Sequence, residues 1–66
     1  MEIILNGVAT QVSQRSSIED LLAEIGVPSE RIAIELNQEV IPKSEYSSRQ
    51  LHAADRIEII QAVGGG

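Results

Sequence analysis

Apolar and polar residues alternate, cluster and break along this chain in a way that predicts its elements in order. Met1-Glu2-Ile3-Ile4-Leu5 is rich in β-formers and runs directly into Asn6-Gly7. That dipeptide is a strong hairpin signal, because both residues tolerate the positive φ that a type I′ turn requires. Val8, Thr10 and Val12 then alternate with Ala9 and Gln11, the pattern of a half-buried return strand. Ser16 and Ser17 follow, with Glu19 and Asp20 three residues after each, and either pair suits a helix N-terminus. Ile18, Leu21, Leu22 and Ile25 form a single apolar stripe at helical spacing. Gly26 supplies a stop, and Pro28 prevents continuation.

Beyond the helix the period returns to two. Arg31–Leu36 places Ile32, Ile34 and Leu36 on one face, and Asn37-Gln38 offers a tight turn into Glu39-Val40-Ile41. Pro42 closes that segment as an edge strand. Residues 43 to 56 are mostly polar; Tyr46 and Leu51 are their expected anchors, with room for one irregular helical turn. Asp55-Arg56 reads as a turn before a last strand, Ile57–Ala62. A ferredoxin-like fold needs a second crossover helix, which this order lacks. The expectation is an α+β roll: a mixed sheet of four to five strands with one main helix on one face. The last strand should lie beside the first and parallel to it, with the most hydrophobic strands in the middle.

Composition narrows the function. Five basic and ten acidic residues give a net charge of −5, which argues against a nucleic-acid footprint. With no Cys, there are no disulfides, thiolate metal sites or cysteine nucleophiles. No apolar run approaches a membrane span, and Glu2 stands where a signal peptide has a basic start, so the cytoplasm is the expected location and no membrane partner is expected. Ten Ile, five Leu and five Val must form the core, since Phe and Trp are absent and Tyr46 is the single aromatic. A core this small leaves little interior for a catalytic cleft. The expectation is a module that other proteins act upon, with no catalytic residue and no permanently bound cofactor. His52 is the lone imidazole, which argues against a metal site. The serines are explained by caps and turns, and Glu19 and Asp20 diverge from a helix. Lys43, the single lysine, gives little support for a lysine-linked polymer.

Ile3-Ile4-Leu5-Asn6-Gly7, Ile18-Glu19-Asp20-Leu21-Leu22, Ala33-Ile34-Glu35-Leu36-Asn37, Leu51 with Asp55-Arg56-Ile57-Glu58-Ile59, and Val63-Gly64-Gly65-Gly66 occur in that order. In this the chain resembles the ubiquitin-like β-grasp sulfur carriers of thiamine biosynthesis, the ThiS family, from Met1 to Gly66. The resemblance implies a β-grasp domain over residues 1–63 and a flexible glycine tail over 64–66. It implies that an E1-like, ThiF-type enzyme uses ATP to adenylate the Gly66 carboxylate, and that a sulfur donor system then turns it into a thiocarboxylate. A ThiG-type thiazole synthase would receive the sulfur. Gly64 and Gly65, lacking Cβ atoms, would thread the partner's active site. The bland reading of the glycine run is a frayed terminus. One departure is Ala54, where the family commonly has Gly: the turn there either uses a right-handed conformation or carries strain.

Strand alternation also suggests a docking face. With Ile3 and Ile57 inward, Ile4, Ile60 and Ala62 face outward, and Ile4 with Ile60, extended by Ala33, would form an exposed apolar spot beside Glu58. Glu2, Glu35 and Glu58 should share that face and steer the chain toward basic surfaces. Competing readings are the sibling carrier of molybdenum cofactor synthesis, a ubiquitin-like protein modifier, and a plain interaction domain. Nothing in the sequence demands more than a monomer.

Overall fold

The computed structural model describes residues 1–61; residues 62–66 lie outside the described part. The elements run β1 (Glu2–Leu5), β2 (Val8–Gln11), α1 (Ile18–Ile25), β3 (Ile32–Leu36), β4 (Glu39–Ile41), a 3-10 turn (Lys43–Glu45) and β5 (Arg56–Gln61). The sheet order is β2-β1-β5-β3-β4. Strand β5 is parallel to β1 and antiparallel to β3, and the two hairpins flank it. This is the mixed roll expected from the sequence, with five strands and α1 against one face.

Local chemistry explains the elements. Asn6 and Gly7 have φ of 49° and 82°, and Asn37 and Gln38 have φ of 51° and 70°, so both hairpins close through two residues in the left-handed region. Of the two candidate caps, Ser17 with Asp20 closes the helix. The Ser17 hydroxyl accepts from the Asp20 amide, and the Asp20 carboxylate accepts from the Ser17 amide, both at 3.0 Å. Gly26 caps the other end at φ 77°. Ile18, Leu21 and Leu22 are buried from this helix against Ile3, Ile34, Leu36 and Ile57 of the sheet. Tyr46 and Leu51 anchor the polar connection, at 5% and 2% exposure. No helix among the described residues is long and apolar enough to cross a membrane.

Three details differ from the sequence reading, the first being that β5 begins at Arg56, read above as part of a turn. The third strand begins at Ile32, because Arg31 sits at φ 60° and breaks the extended run. Val8, read as half-buried, is 63% exposed. Strand β2 is the outermost strand of the sheet, so no further strand shields Val8 on that side. At Ala54 the strained option holds: φ is 70°, left-handed, with its amide donating to the Glu2 carbonyl at 2.8 Å. With that N–H on Glu2, the left-handed turn at Ala54 redirects the chain so that the Asp55 carbonyl accepts from the Ile4 amide at 2.8 Å.

A Cβ in that region costs about 1–2 kcal/mol, whereas Gly gives back about 0.4–1 kcal/mol through the freedom it adds to the unfolded chain. Ala54→Gly is therefore expected to stabilise the domain by up to about 1.5 kcal/mol. Urea unfolding should show a raised midpoint at unchanged slope; a lowered midpoint would show that the backbone here is unstrained.

Candidate functional site

Among the described residues nothing covers the face of the sheet opposite α1, and β5 runs through its middle. Register places Ala33 directly opposite Ile60, and Glu35 directly opposite Glu58, with Val40 on the far side of Glu35. Ile60 is 50% exposed and Ala33 is exposed, so these two form an apolar spot next to Gln61, the last described residue. Val40, at 67% exposure, extends the outer face toward the β4 edge.

Ile4 does not join that spot. It is half-buried and stands opposite Arg56 in the parallel β1–β5 ladder. Four positions along β5 separate Arg56 from Ile60, about 13 Å at the usual strand rise. Glu2 is likewise remote from Glu58, since the same ladder sets it two positions before Ile4. The expected single patch thus divides into an Ala33–Ile60 spot at one end and an Ile4–Arg56 pair at the other. Between them lie Glu35 and Glu58, side by side. Like charges directly across a sheet repel, and among the described residues neither has a cation within 4.0 Å. Ala62, Gly64, Gly65 and Gly66, the other expected site residues, lie outside the described residues.

Two asparagines hold β5 in place, which the sequence reading missed. The Asn6 side-chain oxygen accepts from the Ile59 amide at 2.8 Å, continuing the β1–β5 ladder past the point where β1 turns away. The Asn37 oxygen accepts from the Arg56 amide at 2.9 Å, and its NH₂ donates to Asp55 at 3.1 Å. Each asparagine therefore makes a tight turn and clamps the central strand. The signal in the sequence was Asn at the first turn position of both hairpins, where only its backbone preference was considered.

Shallow clefts flank the end of β5. One lies between Leu5, Asn6, Ile25, Val27, Ile59 and Gln61; another is formed by Arg31, Ile32, Ala33, Ile60 and Gln61. Their volumes of about 330 and 320 Å³ are at the small end for ligand pockets, and both are open to solvent. His52 is exposed, with Nδ1 3.9 Å from an Asp55 oxygen. Among the described residues, no three His, Cys, Asp or Glu side chains gather as metal ligands.

Known proteins resemble this chain in sequence and share its fold. The sequence is 38% identical over 66 residues to a thiazole synthase of Paramagnetospirillum magneticum; the match takes in all of this chain but spans only 20% of that protein's length. It is 40% identical over 50 residues to the sulfur carrier protein ThiS of Bacillus subtilis, covering 76% of each. A crystal structure of the thiamine biosynthesis protein ThiS from Geobacter metallireducens superposes with a TM-score of 0.88 at 26% identity, over 100% of both chains. The ubiquitin-like β-grasp order of strands and helix is therefore common to both. Because the ThiS family itself matches from residue 2 to residue 66, through the glycine run, this chain belongs to the ThiS family.

Proposed function

We propose that this protein carries sulfur on the carboxylate of Gly66 for synthesis of the thiamine thiazole ring. The observation that supports this most is the extent of the family match, which includes Gly64-Gly65-Gly66. A free carboxylate is a poor electrophile. An E1-like enzyme would join it to AMP from ATP, releasing pyrophosphate; a persulfide sulfur would then attack the acyl carbon, and AMP would leave. Reductive cleavage of the resulting acyl disulfide by a thiol frees the thiocarboxylate, and the chemistry needs no thiol on this chain. Thiazole synthase is the proposed recipient. A thiazole synthase with a segment similar to this chain, amounting to a fifth of its length, supports that pairing.

Intact-mass measurement tests the proposal after incubation with ATP, a ThiF-type enzyme, a sulfur donor and a thiol reductant. A species with one carboxylate oxygen replaced by sulfur is expected. If the mass never changes while the same enzyme loads another carrier, the assignment is wrong.

The Ala33–Ile60 spot is the proposed docking contact for the activating enzyme, since an exposed aliphatic beside the tail root can be buried as the tail enters. Ile60→Glu should weaken binding at least about tenfold, equivalent to ~1.4 kcal/mol, while the unfolding midpoint stays put. Ile4→Asn, about 13 Å away along the ladder, should change binding less than Ile60→Glu. Titration calorimetry on both variants makes the comparison, and equal losses would spread the contact over the whole face.

A further inference from the structure

We infer that strand β2 pairs edge to edge with β2 of a second copy of this chain, giving a weak two-fold dimer with one continuous sheet. This does not rest on the sulfur-carrier reading. The argument begins with the unused backbone groups at the two sheet edges. Met1 and Val12 exchange both of their bonds, at 2.7 and 2.9 Å. Antiparallel pairs alternate, so Ile3–Thr10 and Leu5–Val8 also bond inward, and the N–H and C=O of Ala9 and Gln11 point away from β1. Among the described residues, no other segment's backbone bonds to them.

The opposite edge is protected. In β4, the same alternation from the Leu36–Glu39 closing pair leaves only Val40 pointing outward. Pro42 follows without an N–H, and Glu39 is held by the Arg49 guanidinium at 3.0 Å. Prolines and charges are how sheet edges resist pairing. Strand β2, Val8-Ala9-Thr10-Gln11, has neither, although the chain has ten acidic and five basic residues to place. Ala9 and Gln11 are exposed, and Val8 is 63% exposed.

A second copy fits this edge because the edge is complementary to itself. A two-fold axis through Thr10 sets Ala9 against the second copy's Gln11, and Gln11 against its Ala9. Four backbone bonds then form from the four free N–H groups, two on each chain. The same register brings Val8 to the second copy's Val12 and Thr10 to its Thr10, both favourable cross-strand pairs. On the outer face the row would read Glu2, Gln11, then the second copy's Ala9 and Ile4, so no like charges meet. A four-residue edge, about 14 Å long, buries well under the ~1,200 Å² of a stable complex, so the dimer exchanges rapidly. It leaves the Ala33–Ile60 spot uncovered, since β2 is two strands away from β5.

Sedimentation and amide spectra of the full chain, from about 10 µM to about 1 mM, test this across the weak-association range. The expected result is an average mass rising above 7.1 kDa, with concentration-dependent shifts centred on Ala9 and Gln11. Ala9→Pro removes an outward N–H without touching a β1 bond, and Thr10→Lys sets two ammonium groups face to face across the axis. Each should weaken the dimer at least about tenfold, with circular dichroism confirming the fold. The proposal is overturned by a mass that stays monomeric throughout, by unchanged association in both variants, or by shifts that centre on Ala33 and Ile60. It is equally overturned if the β2 amides respond only when a different protein is added, which would make the edge a site for a foreign strand.

Discussion

Deleting Gly66 should abolish sulfur loading while leaving the domain folded and still able to dock. The proposed chemistry takes place at one carbon, the terminal carboxyl. Removing a residue draws that carbon back by about 3.3–3.6 Å along an extended chain. Reacting atoms must come within about 3–3.5 Å, and a displacement of ~1 Å can cost 10²-fold in rate. A loss of at least about 10²-fold in thiocarboxylate formation is therefore expected, read by intact mass. The buried core runs from Ile3 to Ile57, well before the deletion, so the unfolding midpoint should not move. Affinity for the activating enzyme should fall by less than about threefold, because the Ala33–Ile60 spot is untouched. Loading of the truncated chain at the wild-type rate would remove Gly66 from the chemistry. Parallel loss of docking would instead make the tail the principal contact. Gly65→Val offers an independent check: it keeps the length and adds a branched side chain where the tail is proposed to enter a narrow channel.

Most of the fold could be read from short-range patterns. Asn6-Gly7 and the Ser17–Asp20 cap each depend on residues within a few positions, so propensity alone locates them. The parallel neighbours β1 and β5 followed from their shared hydrophobicity. What could not be read was register over a long sequence separation. Alternation says that Ile4 and Ile60 face outward, but not how far apart they lie along the sheet. That distance is set by the crossover, in which the Ala54 amide reaches Glu2 and the Ile4 amide reaches Asp55. Shifting the β1–β5 pairing by two residues would preserve every inward and outward assignment, so the apolar pattern cannot choose between such registers. The crossover needs a left-handed residue at Ala54, a conformation more natural to glycine. The clamps from Asn6 and Asn37 were hidden for a related reason. Their turn role is local, whereas their hydrogen bonds to Ile59 and Arg56 span 53 and 19 residues. The Glu35–Glu58 apposition is also a matter of register, and no composition argument distinguishes it from two separate surface acids.

Truncating Ile57 to Ala should cost about 2–5 kcal/mol, the largest effect on stability expected from a single core substitution. Ile57 is fully buried in the middle strand, opposite Leu5 on one side and Leu36 on the other. Neither neighbour can collapse into the space without breaking its own ladder, so the cavity persists. A domain of this length has a total stability of about 3–10 kcal/mol, so this one change removes much of it. Val8→Ala, at an exposed hairpin position, should shift stability by no more than about 0.5 kcal/mol. Chemical denaturation of the pair checks both, and a cost below about 1 kcal/mol for Ile57→Ala would mean that the core repacks. The consequence for function follows from the same strand. Residue 57 supports β5, which leads to the glycine run, but it takes no part in the proposed reaction. Sulfur loading of Ile57→Ala should therefore fall in proportion to the folded fraction and recover when the protein is stabilised by cooling or a stabilising osmolyte. Loss that persists in fully folded protein would show that the core transmits something to the tail beyond holding its strand in place.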